Sequence, residues 1–318
     1  MPQLYIVIPN YNGEEHLVEC LNSIRRQTIK DIKTIIVDND SKDNSNKIIR
    51  EIFPEIKLIE LNFNSGFAAG VNTGIKEALK DLECSYILLL NNDIECKDDF
   101  VEKFKAALSS EESAGSAACK MMNYYKRDII DDAGDFIKKK GSPYQRGSEE
   151  KDFGQYNKTE FIFGSCAGAA LYKRNVFEKA GFFDEDFFAY YEDIDFSFRL
   201  QLMGIKCIFT PEAVCYHKKG GSFNKVSEFA LYLRERNVFS MRMKDYPLKL
   251  LILYSPYFFF RRFYRIFKVY KETSPSAAKA LTKGYIHGLL RIPSILKKRA
   301  EVQKTKTVST EYIEGMFT

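Results

Sequence analysis

Residues 86–93 read Tyr86-Ile87-Leu88-Leu89-Leu90-Asn91-Asn92-Asp93, an unbroken apolar run that ends in two amides and a carboxylate. A strand with one wet face alternates apolar and polar residues. A run without alternation belongs to a strand covered on both faces, as in a parallel sheet flanked by helices. The same arrangement recurs outward from this stretch. Residues 4–8, 33–38 and 56–61 are further apolar, β-branched runs, followed by Pro9-Asn10-Tyr11-Asn12-Gly13, Asp38-Asn39-Asp40-Ser41-Lys42-Asp43 and Asn62-Phe63-Asn64-Ser65-Gly66. Residues 14–27, 43–53, 67–81 and 98–108 have helical periodicity; in the first, Leu17, Leu21 and Ile24 share one face. The order βαβαβαβα predicts an α/β fold with a doubly wound parallel sheet. Ligands bind such sheets at the carboxyl ends of the strands. Any one of these Asn/Asp/Gly clusters is most simply a turn, but four along one sheet edge mark a candidate site.

Beyond residue 115 the alternation stops. Residues 121–160 are expected to form an irregular or hairpin excursion, followed by the small-residue segment Gly164-Ser165-Cys166-Ala167-Gly168-Ala169-Ala170. A helix to about Met203 and strands near 205–209 and 213–216 come next, and the chain is helical from about residue 224. The organisation expected is a catalytic domain over 1–223 and a helical, basic region over 224–318.

The 318 residues are 45% hydrophobic and 29% charged, which excludes collagenous, mucin-like and globally disordered classes. The net charge of +5 hides an asymmetry. Residues 261–306 hold 13 Lys or Arg against Glu272 and Glu301, a local +11, so the remainder carries −6. The two parts are expected to face different partners. Seven cysteines, an odd number with no C-x-x-C pair, argue against a disulfide framework and fit a reducing cytoplasm. No secretory leader is read at the N-terminus, and no apolar run approaches the ~18 residues of a spanning helix.

Several residues could carry chemistry. Asp93, beside two amides, offers hard oxygen ligands for Mg²⁺ or Mn²⁺; the alternative is a cap on the following helix. Glu192, Asp193 and Asp195 cluster at a helix start beneath an aromatic stretch. The helix dipole favours carboxylates there and is expected to lower their pKa values, keeping a base ionised. Asp195 and Arg199, at i,i+4, read as an ion pair. His217 ends a strand beside Lys218-Lys219-Gly220-Gly221-Ser222 and could bind metal or phosphate, or be structural. Gly66, Gly70 and Gly74 do not match G-x-G-x-x-G and are expected to let their helix pack tightly.

Taken together, Ile6-Val7-Ile8-Pro9-Asn10-Tyr11-Asn12-Gly13, Val37-Asp38-Asn39-Asp40-Ser41, Asn64-Ser65-Gly66, Leu90-Asn91-Asn92-Asp93, Gly181-Phe182-Phe183-Asp184-Glu185, Glu192-Asp193-Ile194-Asp195 and His217 resemble the family 2 inverting glycosyltransferases of the GT-A fold, in particular rhamnosyltransferase-like members, over roughly residues 3–240. The resemblance implies a Rossmann-like, doubly wound mixed sheet with a C-terminal helical extension. It implies that Pro9, Tyr11 and Glu14 line a nucleotide pocket, that Asp38 bonds the base, and that Asn64, Gly66 and Asn72 lie near the sugar-nucleotide. Asn91-Asn92-Asp93 corresponds to the family's D-x-D element, with Asp93 and His217 as ligands of Mg²⁺ or Mn²⁺ and Asp193, paired with Glu192, as general base. Asn91 stands where many relatives have Asp, which removes one carboxylate. The implied donor is a UDP- or dTDP-sugar, with rhamnose as the implied sugar, and the acceptor a polysaccharide or lipid-linked saccharide. The rivals are a sugar nucleotidyltransferase, which would need a basic, Gly-rich loop after the first strand, and an inactive membrane-bound carbohydrate-binding protein.

The run Leu248 to Phe260, interrupted by Pro256 and followed by the +11 stretch, suits a segment lying on the anionic inner face of the cell membrane. Packing on the catalytic domain or a homodimer contact is the alternative. No nucleic acid is expected, since no recognition module accompanies the charge.

Overall fold

The computed structural model describes residues 3–218 and 227–318. Its first half follows the expected alternation, with one unexpected short strand: β1 (Gln3–Asn10), α1 (Glu14–Arg25), β2 (Ile32–Asp38), α2 (Ser45–Ile52), β3 (Lys57–Glu60), α3 (Gly66–Ala78), β4 (Cys84–Leu90), the unexpected β5 (Ile94–Cys96) and α4 (Phe100–Ser110). β3, β2, β1 and β4 lie side by side and parallel, with Asn10 in register with Asp38. The lack of alternation in these strands has a direct cause. Ile6 and Ile8 point to one apolar layer, with Leu17, Leu21, Phe100 and Phe104, while Tyr5 and Val7 point to the other, with Val71, Ile75, Phe183 and Phe196. α3 rests directly on β1 because Gly74 has no side chain; a Cβ there would lie 2.3 Å from Val7 Cγ1.

The second half departs from expectation. β6 (Ala114–Asn123) is a buried ten-residue strand where regular structure was expected to end. Its small residues, Ala, Gly, Ser and Cys, carry neither strand propensity nor alternation, so sheet packing on both sides decides its conformation. After β7 (Ile130–Asp132) comes the expected hairpin, β8 (Asp135–Ile137) and β9 (Pro143–Gln145), which forms its own two-stranded sheet. β10 (Glu160–Ile162) follows, and the small-residue segment runs into β11 (Ala169–Lys173), which inserts antiparallel between β4 and β6 and makes the sheet mixed. Past α5 (Arg174–Ala180) and α6 (Glu192–Leu202), β12 (Lys206–His217) is one strand rather than two, its register shift between Thr210 and Val214 absorbing Pro211. The spatial order is β10-β12-β6-β11-β4-β1-β2-β3.

The C-terminal helices are α7 (Glu228–Asp245), α8 (Leu248–Glu272), α9 (Pro275–Leu290), α10 (Ile292–Lys304) and α11 (Thr310–Gly315). Val238, Met241, Tyr246 and Phe317 share one apolar cluster with Ile137, Phe163 and Phe198. α8 continues through Pro256. The carbonyl of Ile252, which a proline four residues on cannot satisfy, accepts a hydrogen bond from the Ser255 hydroxyl at 3.0 Å. Asp195 and Arg199 form the expected ion pair, buried, at 3.1 Å. All seven cysteines are free. The expected boundary at 223/224 and the turn at 219–222 lie outside the described residues.

Candidate active site

Three strand ends are tied together by side chains. Asn10, at the end of β1, donates to Asp38 Oδ1 at 2.8 Å and accepts from Asn92 Nδ2 at 2.6 Å. Asp38 also accepts from the Ser41 amide at 2.9 Å and from Asn46 at 3.1 Å, and is 1% exposed. Its carboxylate thus organises the edge from inside. Pro9 and Tyr11 are half-buried on the same turn, and Glu14 opens α1, accepting from the Asn44 amide at 2.7 Å. Asn64 accepts from the Gly66 amide at 2.9 Å; Gly66 holds φ +85° with Phe188 against it, a conformation and contact that admit no side chain. Asn72 is fully committed to the loop above it. It accepts from the Phe183 amide at 3.0 Å and donates to the Phe183 carbonyl at 2.9 Å and to Glu185 at 3.0 Å.

The edge continues across the sheet to Asp93. β12 pairs with β5 so that His217 is opposite Ile94, which brings its ring to Asp93. His217 Nε2 lies 3.3 Å from Asp93 Oδ2, and its Nδ1 lies 2.6 Å from Asp131 Oδ2 on β7. Burial alone would lower the histidine pKa, but the two carboxylates outweigh it and raise it to about 10. Burial likewise opposes ionisation of Asp93, yet the His217 hydrogen bond and charge hold its pKa below the usual value. Asp93 Oδ1 is buried and has no hydrogen-bond partner. A buried, unsatisfied carboxylate oxygen beside an imidazole oriented by a second carboxylate fits a divalent cation, which would take the place of the Nε2 proton.

The other carboxylates gather at the start of α6. The chain enters this helix through Phe188, Tyr190 and Tyr191, all at positive φ (65°, 70° and 68°). Such conformations are costly for aromatic residues and persist where surrounding bonds enforce them. Here Asn237 of α7 donates to the carbonyls of Phe187, Ala189 and Tyr190 at 2.9, 2.9 and 2.8 Å. Glu192 is buried, with Oε2 unpaired, whereas Asp193 is half-buried and accepts from the Ala167 amide at 3.3 Å. The expected lowering of their pKa values does not occur. Burial raises both, and repulsion from Asp193 and Asp195 adds to the rise at Glu192; desolvation in this crowded acidic pocket exceeds the benefit of the helix terminus.

Sequence reasoning missed the residues between these two groups. Asp132 and Asp135, both buried, lie with Cys166 so that one ligand atom of each falls within 4.8 Å of the others, a second set able to hold a cation. Burial, with Asp131 and Asp193 nearby, raises Asp132 to about 7, and burial with Asp132 nearby raises Asp135 well above its usual value. The available signal was Asp131-Asp132-Ala133-Gly134-Asp135, three acids within five residues in an apolar setting. Neighbours on a strand point to opposite faces, so Asp131 meets His217 while Asp132 turns toward Asp193.

The Asp93 and Asp193 groups meet on two residues of backbone. The Asn91 amide donates to the Gly168 carbonyl at 2.8 Å, and the adjacent Ala167 amide donates to Asp193. A cavity of about 600 Å³ lined by Ile24, Lys33 and Asp81 opens at the opposite ends of β1 and β2, away from all of these groups. The profile described as glycosyl transferase family 2 matches residues 5–181. The chain belongs to that family.

A second profile, glycosyl transferase family group 2, matches residues 153–286 of this family 2 chain. Among curated relatives, the low-salt glycan biosynthesis hexosyltransferase of Haloferax volcanii is 27% identical over 63% of this chain and 62% of its own length. The N-acetylglucosaminyl-diphospho-decaprenol L-rhamnosyltransferase of Mycobacterium tuberculosis is 22% identical over 69% of this chain and 77% of its own length. A teichoic acid poly(glycerol phosphate) polymerase of Staphylococcus epidermidis is 36% identical over 99 residues, 30% of this chain and only 13% of its own length. Among solved structures, S. aureus TarS 1-349 in complex with UDP superposes with a TM-score of 0.57 at 16% identity, covering 98% of this chain and 92% of that one. The mannosyltransferase PcManGT of Pyrobaculum calidifontis, in complex with GDP-Man and Mn²⁺, gives 0.55 at 16% identity, covering 96% and 86%. The expected GT-A fold with a helical C-terminal portion is the fold found.

Proposed function

We propose that this chain transfers a sugar from a nucleoside-diphosphate donor, UDP- or dTDP-linked, to a polysaccharide or lipid-linked saccharide by a single inverting displacement. The observation that carries it is the shared Ala167-Gly168 backbone, which holds Asp193 beside the strand end bearing Asp93. The acceptor oxygen forms the new bond at the anomeric carbon as the bond to the diphosphate breaks, and Asp193 takes the acceptor's hydroxyl proton. Glu192, buried next to Asp193 at the start of α6, is the second acid of the pair. Asn10, Asp38 and Asn92 shape the donor edge, where Pro9, Tyr11, Glu14, Asn64, Gly66 and Asn91 lie, and Asn72 fixes the loop over it. Asp93 and His217 would hold Mg²⁺ or Mn²⁺, which would neutralise charge developing on the leaving diphosphate. The relative named for a decaprenol-linked substrate supports a lipid-linked acceptor and rhamnose as the sugar; on this reading the chain works in the cytoplasm, at the inner membrane face.

The test is Asp193→Asn. Transfer should fall by ~10² to 10⁴ while donor binding survives, read as a thermal shift across UDP-, dTDP- and GDP-sugars with and without Mn²⁺. Undiminished turnover removes Asp193 from the role, and absence of any donor-induced shift removes the activity.

A further inference from the structure

α8 has two unlike faces. Leu250, Phe258 and Arg262 are buried: Phe258 beneath Gly141 of the β8–β9 turn, and Arg262 against Glu235 of α7 at 2.9 Å. On the other side Leu248, Ile252, Phe260, Phe263, Phe267 and Tyr270 are exposed, Phe260 by 70%. Their spacings of three, four and eight residues align them as one stripe along a 25-residue helix, about 37 Å long. No helix among the described residues is long and apolar enough to cross a membrane. The stripe also continues past Arg261-Arg262, so it is longer than the apolar run visible in the sequence.

Cations border it from two parts of the chain. Arg261, Lys268 and Lys271 are exposed on α8 itself. Lys138, Lys139 and Lys140 are exposed in the β8–β9 turn, which the fold fastens to this helix. Arg242 donates to the Gly141 carbonyl at 2.9 Å, Gly141 rests on the Phe258 ring, and Lys140 Nζ lies 5.2 Å from the Tyr257 ring. The other end of this hairpin bears Asp135 and Gln145, beside Cys166 and Asp193.

We propose that the outward face of α8, with the Lys138-Lys139-Lys140 turn, is a surface for an anionic lipid bilayer, the helix lying in the interface with its aromatic stripe in the lipid. This deepens the membrane-side part of the proposed function by naming the surface. Aromatic residues flanked by Lys and Arg match a boundary between apolar chains and negative headgroups. A second copy of the chain is the poorer occupant, because it would bring one strongly basic region against another. The hairpin gives the surface a consequence: it joins the lipid face to the carboxylates at the base, so the acceptor side of the site is held near the membrane.

The experiment uses the full chain and vesicles of phosphatidylcholine alone or mixed equally with phosphatidylglycerol, in a sedimentation assay with no donor or acceptor. Binding to the anionic vesicles should fall about tenfold or more in Phe260→Ser/Phe263→Ser/Phe267→Ser. In Lys138→Ser/Lys139→Ser/Lys140→Ser it should weaken at low salt and match wild type at high salt, where screening removes the advantage. Far-ultraviolet circular dichroism checks that both variants are folded. Donor-dependent thermal shift should be unchanged in both, which separates failure of this surface from failure of the transferase reading. Equal binding of wild type and both variants, or none by wild type, overturns the proposal. So does a wild-type dimer that the aromatic variant converts to monomer, which would assign the stripe to self-association.

Discussion

His217 and Asp131 are 2.6 Å apart, Nδ1 to Oδ2, and this contact orients the imidazole so that Nε2 faces Asp93. Asp131 is therefore a positioning residue for the proposed cation. Outer carboxylates of this kind typically contribute 10- to 100-fold in metal affinity. Asp131→Asn should weaken Mn²⁺ binding by about that factor in titration calorimetry. Unchanged affinity in Asp131→Asn together with full loss in His217→Ala would separate the ligand from its orienting partner and remove Asp131 from the role.

The raised pKa of Asp193 has a kinetic sign. A base must be deprotonated to accept a proton, so kcat/KM should rise with pH through a value above the ordinary aspartate range of about 4. Burial is what raises Asp193, so Glu192→Gln should leave this acidic limb in place. A limb that moves downward would mean that repulsion from Glu192 helps to set it.

Asp132 and Asp135 make an opposite claim about stability. Both carboxyls hold their protons to higher pH when folded than the usual value near 3.8, Asp132 to about 7. The folded chain thus binds more protons than the unfolded one across that interval, and the pair's contribution declines as pH rises through it. Asp135→Asn should stabilise the cation-free protein more at about pH 8 than at about pH 5, measured by denaturant unfolding. Equal effects at both would show that the acids are not desolvated as described.

The network at α6 and α7 behaves conversely. Lys244 reaches Asp184 at 2.6 Å and also contacts Asp195, and Lys298 adds to Asp184. Burial works against ionisation of Asp184, but these two lysines overcome it and hold its pKa well below the usual carboxylate range. Its stabilisation is present above about pH 4 and is lost as pH falls further. Lys244→Met leaves Asp184 with Lys298 alone and Asp195 with Arg199 alone, and should cost up to about 3–5 kcal/mol. A smaller loss, with no change in acid sensitivity, would reduce this network to a bystander.

Asn72 shows where a residue's type and its use diverge. Its amide makes hydrogen bonds to Phe183 and Glu185, more than a hundred residues away. Asn72→Ala should therefore loosen the loop, at about 1–3 kcal/mol for the buried groups left unpaired, and raise KM for donor more than it lowers kcat. An unaffected KM would confine Asn72 to stability.

The primary structure alone determined β1 to α4 apart from the three-residue β5, because strands buried on both faces cannot alternate and the helices between them must. It determined the Asp195–Arg199 pair through helical spacing and flagged Asp93, Asp193 and His217 by residue type and order. It could not show β6 or β11, whose small residues become strands only between neighbours, nor the downward pull of a helix dipole losing to desolvation at Glu192 and Asp193. Asp131, Asp132 and the Lys138-Lys139-Lys140 turn acquire their roles from β7 and a hairpin that bring them to His217, Asp193 and α8. Local periodicity is a property of neighbouring residues; a shared pocket, and the pKa values inside it, depend on which distant charges the folded chain brings within a few ångströms.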